Sequence, residues 1–508
     1  MNRRNFVKLS SLSLLPILAC GPQGKKEEEV FSLKIHSDMR TGHLVRDSFN
    51  WPEVESEKTE LLVVGAGIAG LSAAANAPTK DLLVCELSDR IGGSSGSETY
   101  QGLQFCQGAH YDLVYPNYFG KDCLNFFEKL NIIQFNGQTK LWEYTDKQYL
   151  IDTSFESQCF SGGAFRSDVL PEGEEVKMFL DFMDQHIGNF MLPSRAIPKN
   201  MRALNQIDFL SYLNKNITLS PGFVRAIDYQ MIDDFSGEAH QVSALAGMYY
   251  YANRPYRTNE IEVFSPPQGN FYFANKLATK IDNSQILLKH LVKQIKPLKK
   301  GFEVLVADVS QQKVKKILAK HVIYAGQKHA LKYIFPEEYP AFENIKYAPW
   351  LVVNYVLKEN SLTEGHWQNE MVMNNQAFLG FIDSDAQHQK GDKRVLTAYF
   401  CFPEWQRKNL ANLDRTGQQI ALQTAEKIGW YFGLRPEQFV PMVEKVFIKA
   451  MGHAMPIPVP GYLFNDHNIN RKHKNLAFAG VDNGRLPLLL EAVDSGLCAV
   501  NEIFGSIS

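Results

Sequence analysis

The chain has 508 residues, of which 45% are hydrophobic and 21% charged, with a formal net charge of -2 at pH 7. This length and composition suit two or more globular domains with a sizeable core, and the near-balanced charge argues against nucleic-acid binding, which draws on a concentrated basic surface. None of the 7 cysteines forms a Cys-x-x-Cys pair. That sets aside a zinc ribbon or a thioredoxin-type site, and no metal centre is expected.

The first residues read as an address. Asn2-Arg3-Arg4-Asn5-Phe6-Val7-Lys8 precedes an apolar stretch over 9–19. A basic start and a short apolar region make a secretory signal. The stretch is shorter than the roughly 20 residues that span a bilayer. The paired arginines followed by Phe and Lys resemble a twin-arginine signal. Ile17-Leu18-Ala19-Cys20 resembles a bacterial lipobox, which implies lipidation of Cys20 and a lipid anchor at the membrane. Residues 1–20 are thus expected as the signal. The resemblance implies export of an already folded protein, often with its cofactor inserted, to the bacterial periplasm or cell envelope. Residues 21–57 are polar, with a Lys25-Lys26-Glu27-Glu28-Glu29 run, and are expected as a solvated tether with a loosely structured arm.

The strongest internal motif follows. Leu61-Leu62-Val63-Val64 predicts a buried parallel strand. Gly65-Ala66-Gly67-Ile68-Ala69-Gly70 comes next, and small residues over 71–75 open a helix. Gly65 permits the tight turn, Gly67 lets the backbone approach a pyrophosphate, and Gly70 lets helix and strand pack closely. The helix start, with Ala69 in its first turn, offers N–H groups to the phosphates. A second apolar strand over 82–85 ends in Glu86, at the spacing of about 20 residues where an acid meets the ribose hydroxyls.

After that acid comes Leu87-Ser88-Asp89-Arg90-Ile91-Gly92-Gly93-Ser94. Here the chain resembles the flavin-containing amine oxidase superfamily, which includes carotene desaturases and protoporphyrinogen oxidases. Arg90, Gly92 and Gly93 match its Arg-x-Gly-Gly segment, which faces the pyrophosphate. Ser94 stands where many relatives have Arg. Gln107-Gly108-Ala109-His110 resembles the family's Gly-Ala element beside the flavin, with His110 either facing the flavin or held structurally. The resemblance recurs in order. Pro267-Gln268-Gly269-Asn270 leads into a helix-like run over 271–279. Strands are expected over 286–288, 291–295, 302–306 and 320–325, and Val292 is implied to meet the adenine side through its backbone. Near the C-terminus, Leu476-Ala477-Phe478-Ala479-Gly480-Val481-Asp482 predicts a strand, with Gly480 and Asp482 implied beside the ribityl chain. The last helix is expected to aim its N-terminus, around Ala492, at the flavin. Glu491 replaces the relatives' usual Gly, and its side chain is expected to crowd the flavin or narrow the substrate side.

The resemblance implies FAD as cofactor and an α/β fold. A Rossmann-like, GR2-type FAD-binding domain (58–135, 263–344 and 461–508) is expected, with an interleaved α+β substrate domain (136–262 and 345–460). It also implies a small-molecule substrate oxidised by hydride transfer to the flavin, with no nucleophilic triad. Aligning Ala348-Pro349-Trp350-Leu351-Val352-Val353-Asn354 puts Asn354 where many amine oxidases carry an oxygen-activating Lys, which leaves the electron acceptor open between oxygen and another molecule. In the stretch over 451–462, His453 and Tyr462 are the pocket candidates, with a turn-capping His453 and a packed Tyr462 as the alternatives. No Cys occurs there to link a flavin covalently. Asp233, Asp234 and Glu238 either receive a cationic amine or form a solvated helix face. The leading expectation is an amine oxidoreductase, with a polyamine among the candidate substrates. A desaturase of an isoprenoid or porphyrin-like substrate, and a flavin-binding lipoprotein without catalysis, are the alternatives.

Overall fold

Strand β1 (Ser32–His36) and a short helix (Met39–His43) open the described chain, followed by β2 (Glu57–Val64), a helix (Ile68–Asn76) and β3 (Leu82–Cys85). Next come the hairpins β4–β5 (Ser97–Tyr100, Leu103–Cys106) and β6–β7 (Ile133–Asn136, Leu141–Tyr144), then β8 (Leu150–Asp152), β9 (Ser157–Ser161) and β10 (Ala164–Arg166). A helical block holds Glu174–Asp184, Phe209–Asn216, Pro221–Phe235 and Ala244–Ala252. The chain continues through β11 (Glu262–Phe264), helix Phe271–Ala278, β12 (Ile286–Leu287), β13 (His290–Pro297), β14 (Phe302–Asp308) and β15 (Lys313–Tyr324). Then follow β16 (Tyr347–Leu357), β17 (Gln368–Val372), β18 (Phe378–Asp383), β19 (Val395–Cys401), helix Leu413–Tyr431, β20 (Val443–Pro456), β21 (Leu476–Phe478) and helix Leu489–Phe504. This computed structural model describes residues 30–505 apart from 49, 111–115, 153–156, 162, 254–261, 364, 374–376, 388 and 390. The expected signal with Cys20, and residues 21–29 of the expected tether, lie outside the described residues.

One sheet runs β12-β3-β2-β15-β14-β13, with β21 beside β15. β12, β3, β2, β15 and β21 are mutually parallel, whereas β13, β14 and β15 form an antiparallel meander. The parallel strands read as continuous apolar runs because helices cover the sheet. Helix Ile68–Asn76 and the C-terminal helix meet at Gly496, where a Cβ would lie 2.4 Å from the Ala69 carbonyl oxygen. This is the α/β dinucleotide-binding architecture expected from the motifs.

The second sheet runs β1-β20-β16-β19-β18-β17-β9-β10. β16 is buried along its whole length because both faces are covered. Leu351, Val353 and Tyr355 pack with Ala421, Ala425 and Ile428 of helix Leu413–Tyr431. The alternate residues Trp350 and Val352 line the central cavity.

The described part of the expected tether is folded, which corrects the reading of 21–57. β1 pairs in parallel with β20, from Ser32 opposite Lys445 to His36 opposite Lys449. Leu33 and Ile35 alternate with polar residues and are half-buried, so five residues suffice to extend the sheet edge.

Candidate active site

The end of β2 builds the first wall of a cavity of about 1120 Å³, larger than the roughly 300–1,000 Å³ of an ordinary small-molecule site. Gly65 has φ +101, which only glycine adopts readily, and it turns the chain into the helix. At Gly70 a Cβ would come within 1.9 Å of the Gly65 carbonyl oxygen. Gly70 is therefore a packing position and does not line the cavity. Gly67 is the N-cap residue, no side chain caps that helix end, and a Cβ on Gly67 would meet nothing within 4 Å. The uncapped N–H groups thus face open space, as a pyrophosphate site requires.

Gly92 donates from its N–H to the Ala66 carbonyl at 2.9 Å, and a Cβ on Gly93 would sit 3.3 Å from the Gly67 Cα. This brings the Arg-x-Gly-Gly segment against the helix start. Arg90 lines the cavity and is steadied by Asp89 and the Ser97 carbonyl, both at 3.0 Å. Glu86 is buried at the end of β3. Its two oxygens accept from the backbone N–H of Ala66 at 2.7 Å and of Ser88 at 2.8 Å. Burial raises its pKa. Val292, Gly108, Ala109, His110, Gly480, Asp482 and Ala492 also line the cavity. Gly108 is fixed by sterics, since a Cβ there would lie 1.8 Å from the Ser94 carbonyl oxygen. The C-terminal helix begins at the cavity without a side-chain cap, and Leu488 and Leu489 line it. Two uncapped helix starts, a buried acid and the open glycine cradle fit a dinucleotide that carries a flavin.

Three histidines along the cavity stay neutral at pH 7. His110 is pushed down to about 3 by burial and packs 4.9 Å from the Tyr399 ring. His329 and His453 stack with ring centroids 3.7 Å apart. Burial takes His329 to about 4, and burial together with His329 takes His453 to about 3. The buried Nδ1 of His329 has no hydrogen-bond partner among the described residues. Beside this pair, Asp482 accepts from the Lys328 ammonium at 2.8 Å, the Lys328 N–H at 2.9 Å and the Tyr347 hydroxyl at 2.9 Å. Lys328, fully buried, was not singled out by the sequence, and neither were His329, Tyr347 and Trp350. Their placement depends on contacts distant in the chain.

The structure departs from the expectations for Asn354 and Glu491 and takes the packed alternative for Tyr462. Asn354 does not line the cavity. It lies on the same face of β16 as Val352 but one pleat further on, where Thr397 donates to its Oδ1 at 2.7 Å. The β16 residues at the cavity are Tyr347, Trp350 and Val352, so no lysine of that strand reaches it. Tyr462 is a packed residue rather than a pocket residue, because its buried hydroxyl donates to the Val481 carbonyl at 2.6 Å. Glu491 does not crowd the cavity. Its buried carboxylate turns away to accept from the Ser194 N–H at 2.6 Å and lies 3.4 Å from Arg485. Burial raises its pKa, against the pull of Arg485. His453 does line the cavity, and so do Asp233 and Asp234, whereas Glu238 does not.

The family model described as flavin containing amine oxidoreductase matches residues 68–480. The chain belongs to this family. It is an FAD-dependent oxidoreductase. Solved structures share the fold at low identity. Putrescine oxidase bound to putrescine is 15% identical with a TM-score of 0.61, covering 89% of this chain and 100% of its own. A putative protoporphyrinogen oxidase from Exiguobacterium sp. 255-15 is 18% identical with a TM-score of 0.60, covering 89% and 99%. Cyclohexylamine oxidase from Brevibacterium oxydans IH-35A is 14% identical with a TM-score of 0.59, covering 88% and 99%. No curated protein matches the sequence.

Proposed function

We propose that this family member oxidises a cationic amine, with a polyamine as a candidate substrate. The observation that carries the reading is an acidic pair in the cavity wall. Asp233 and Asp234 stand in the last turn of helix Pro221–Phe235, and both line the cavity. The C-terminal end of a helix adds partial negative charge to two carboxylates, which favours a cation. Trp350 lines the same cavity and is oriented by its indole N–H, which donates to the Ser236 hydroxyl at 2.8 Å. Its ring face can attract an ammonium group. The neutral imidazoles of His110, His329 and His453 add no opposing charge. Bound FAD supplies the two-electron acceptor for a hydride from the carbon next to the amine nitrogen. The chain's part is to orient that carbon and exclude water.

Changing Asp233 and Asp234 together to Asn is expected to lower kcat/KM for a diamine by about 10- to 100-fold, the loss of one hydrogen bond to a charged group. Flavin content should not change. Steady-state kinetics with a diamine and a neutral analogue of equal length check this. An equal effect on both substrates, or no effect, would count against the acidic pair as the amine receptor.

We also propose export by a twin-arginine route and anchoring in the bacterial envelope through a lipid on Cys20. The sequence of residues 1–20 supports this. Among the described residues no helix is long and apolar enough to cross a membrane. Cys20→Ala is expected to move the protein from the membrane to the soluble fraction on cell fractionation. Unchanged membrane association would refute the anchor.

A further inference from the structure

Residues 30–47 precede every motif of the dinucleotide site, yet they form part of its cavity. Ser37, Asp38, Met39, Gly42, His43 and Arg46 line it. A Cβ on Gly42 would lie 3.7 Å from the Leu87 side chain, so this segment rests on the residue that follows Glu86. In dinucleotide-binding folds the acid at the end of the second strand takes the adenosine ribose. The segment therefore stands over the adenosine end.

This arm is fastened to both sheets. On one side, β1 pairs with β20, and Phe31 is buried. Gln418 of helix Leu413–Tyr431 exchanges two hydrogen bonds with the Phe31 backbone, at 2.8 and 3.3 Å. Lys34 and His36 also reach Glu98 of the separate hairpin β4–β5 at 2.9 and 2.8 Å. On the other side, Lys293 of β13 donates to the carbonyls of Leu44, Val45 and Asp47 at 2.5, 3.2 and 2.6 Å. These carbonyls lie just past the short helix Met39–His43, where a cation satisfies otherwise unpaired acceptors. Between the two fastenings, Asp38 pairs with Lys449 of β20 at 2.8 Å, and both residues line the cavity. Lys449 is only 8% exposed, whereas the Asp38 side chain is 41% exposed, so the pair is sheltered on its Lys449 side only.

We propose that residues 31–47 are a clasp that closes over the adenosine half of bound FAD, with the Asp38–Lys449 pair as its latch. The clasp crosses from one sheet to the other above Glu86, so a dinucleotide lying along the cavity leaves this end only after the arm lifts. Arm and cofactor are then thermodynamically linked. FAD holds the arm down, and the docked arm tightens FAD by the same factor.

Trypsin reads the arm directly, because it cleaves after Arg40 and Arg46, both exposed. In the full chain, removing FAD is expected to speed cleavage at these sites by about tenfold or more, within the usual range of coupling between two sites. Asp38→Ala is expected to raise the FAD dissociation constant by a similar factor, measured by flavin fluorescence, and to speed arm cleavage in the FAD-loaded protein. Circular dichroism of the Asp38→Ala protein shows whether its fold is retained. Should it be lost, Gln418→Ala serves as the second variant, because it removes both hydrogen bonds to the Phe31 backbone without touching the cavity lining. Loosening the arm at Phe31 is expected to speed its cleavage in the FAD-loaded protein and to weaken FAD by a similar factor. Arm cleavage independent of FAD, or an affinity in Asp38→Ala within twofold of the parent, overturns the clasp. Neither readout involves a substrate, so the amine proposal stands or falls separately.

Discussion

Gly67→Val is expected to give a folded protein without flavin. Gly67 has φ -74 and ψ 179, an extended conformation open to any residue, and a Cβ there would meet nothing within 4 Å. The substitution therefore adds no backbone strain, and its Cβ meets no protein atom. It does fill the space over the uncapped start of helix Ile68–Asn76 where the pyrophosphate must lie. Losing two charge-assisted hydrogen bonds there costs about 3–6 kcal/mol, so FAD affinity should fall by at least roughly 100-fold. Absorbance of the purified protein and titration with FAD measure the loss, and thermal unfolding of the flavin-free form should match that of the flavin-free parent. Tight FAD binding by this variant would mean that the cofactor does not approach Gly67. Gly70→Ala makes the opposite case. Its Cβ would stand 1.9 Å from the Gly65 carbonyl oxygen, so it should damage the fold as well as the site.

Lys328→Met is expected to destabilise the protein by about 3–5 kcal/mol, because it leaves a buried carboxylate without its counter-charge. The Lys328 side chain has no solvent exposure. Its ammonium donates to Asp482 at 2.8 Å, to the Ala479 carbonyl at 2.7 Å and to the Gly326 carbonyl at 3.1 Å. All three acceptors lose a donor at once. Asp482 lines the cavity, so FAD affinity should weaken as well. Urea unfolding with and without added FAD checks both effects. A loss below about 1 kcal/mol would show that water or backbone shifts replace the ammonium, as for an exposed pair.

The cofactor site was legible because its chemistry is local. A strand, three glycines and an acid lie within one short segment, each fixed by turn geometry or close approach, and the structure gives Gly65, Gly67, Gly70 and Glu86 those surroundings. The substrate side was not legible, because its geometry is set by long-range pairing. Asn354 and Val352 are two residues apart on one strand and share a face. Only the position of the cavity along β16 decides which of them lines it. The Tyr462 hydroxyl needed an acceptor once buried, and it found one in the Val481 carbonyl, within the C-terminal motif over 476–482. Glu491 looked like an obstruction because its partners Ser194 and Arg485 could not be foreseen from the last helix alone. The arm did carry a signal, since Leu33 and Ile35 alternate with Ser32, Lys34 and His36. Five residues beside a charged run were too few to stand out as a strand.

This chain binds FAD and is proposed to use it to oxidise an amine. Anaerobic absorbance titration of the purified protein with aliphatic diamines and primary monoamines tests it most directly. Flavin bands are expected in the isolated protein, and they should bleach when an amine is added in the absence of air. Flavin that no amine bleaches would contradict the substrate class, and a protein that neither carries nor takes up FAD would contradict the cofactor and the reaction together.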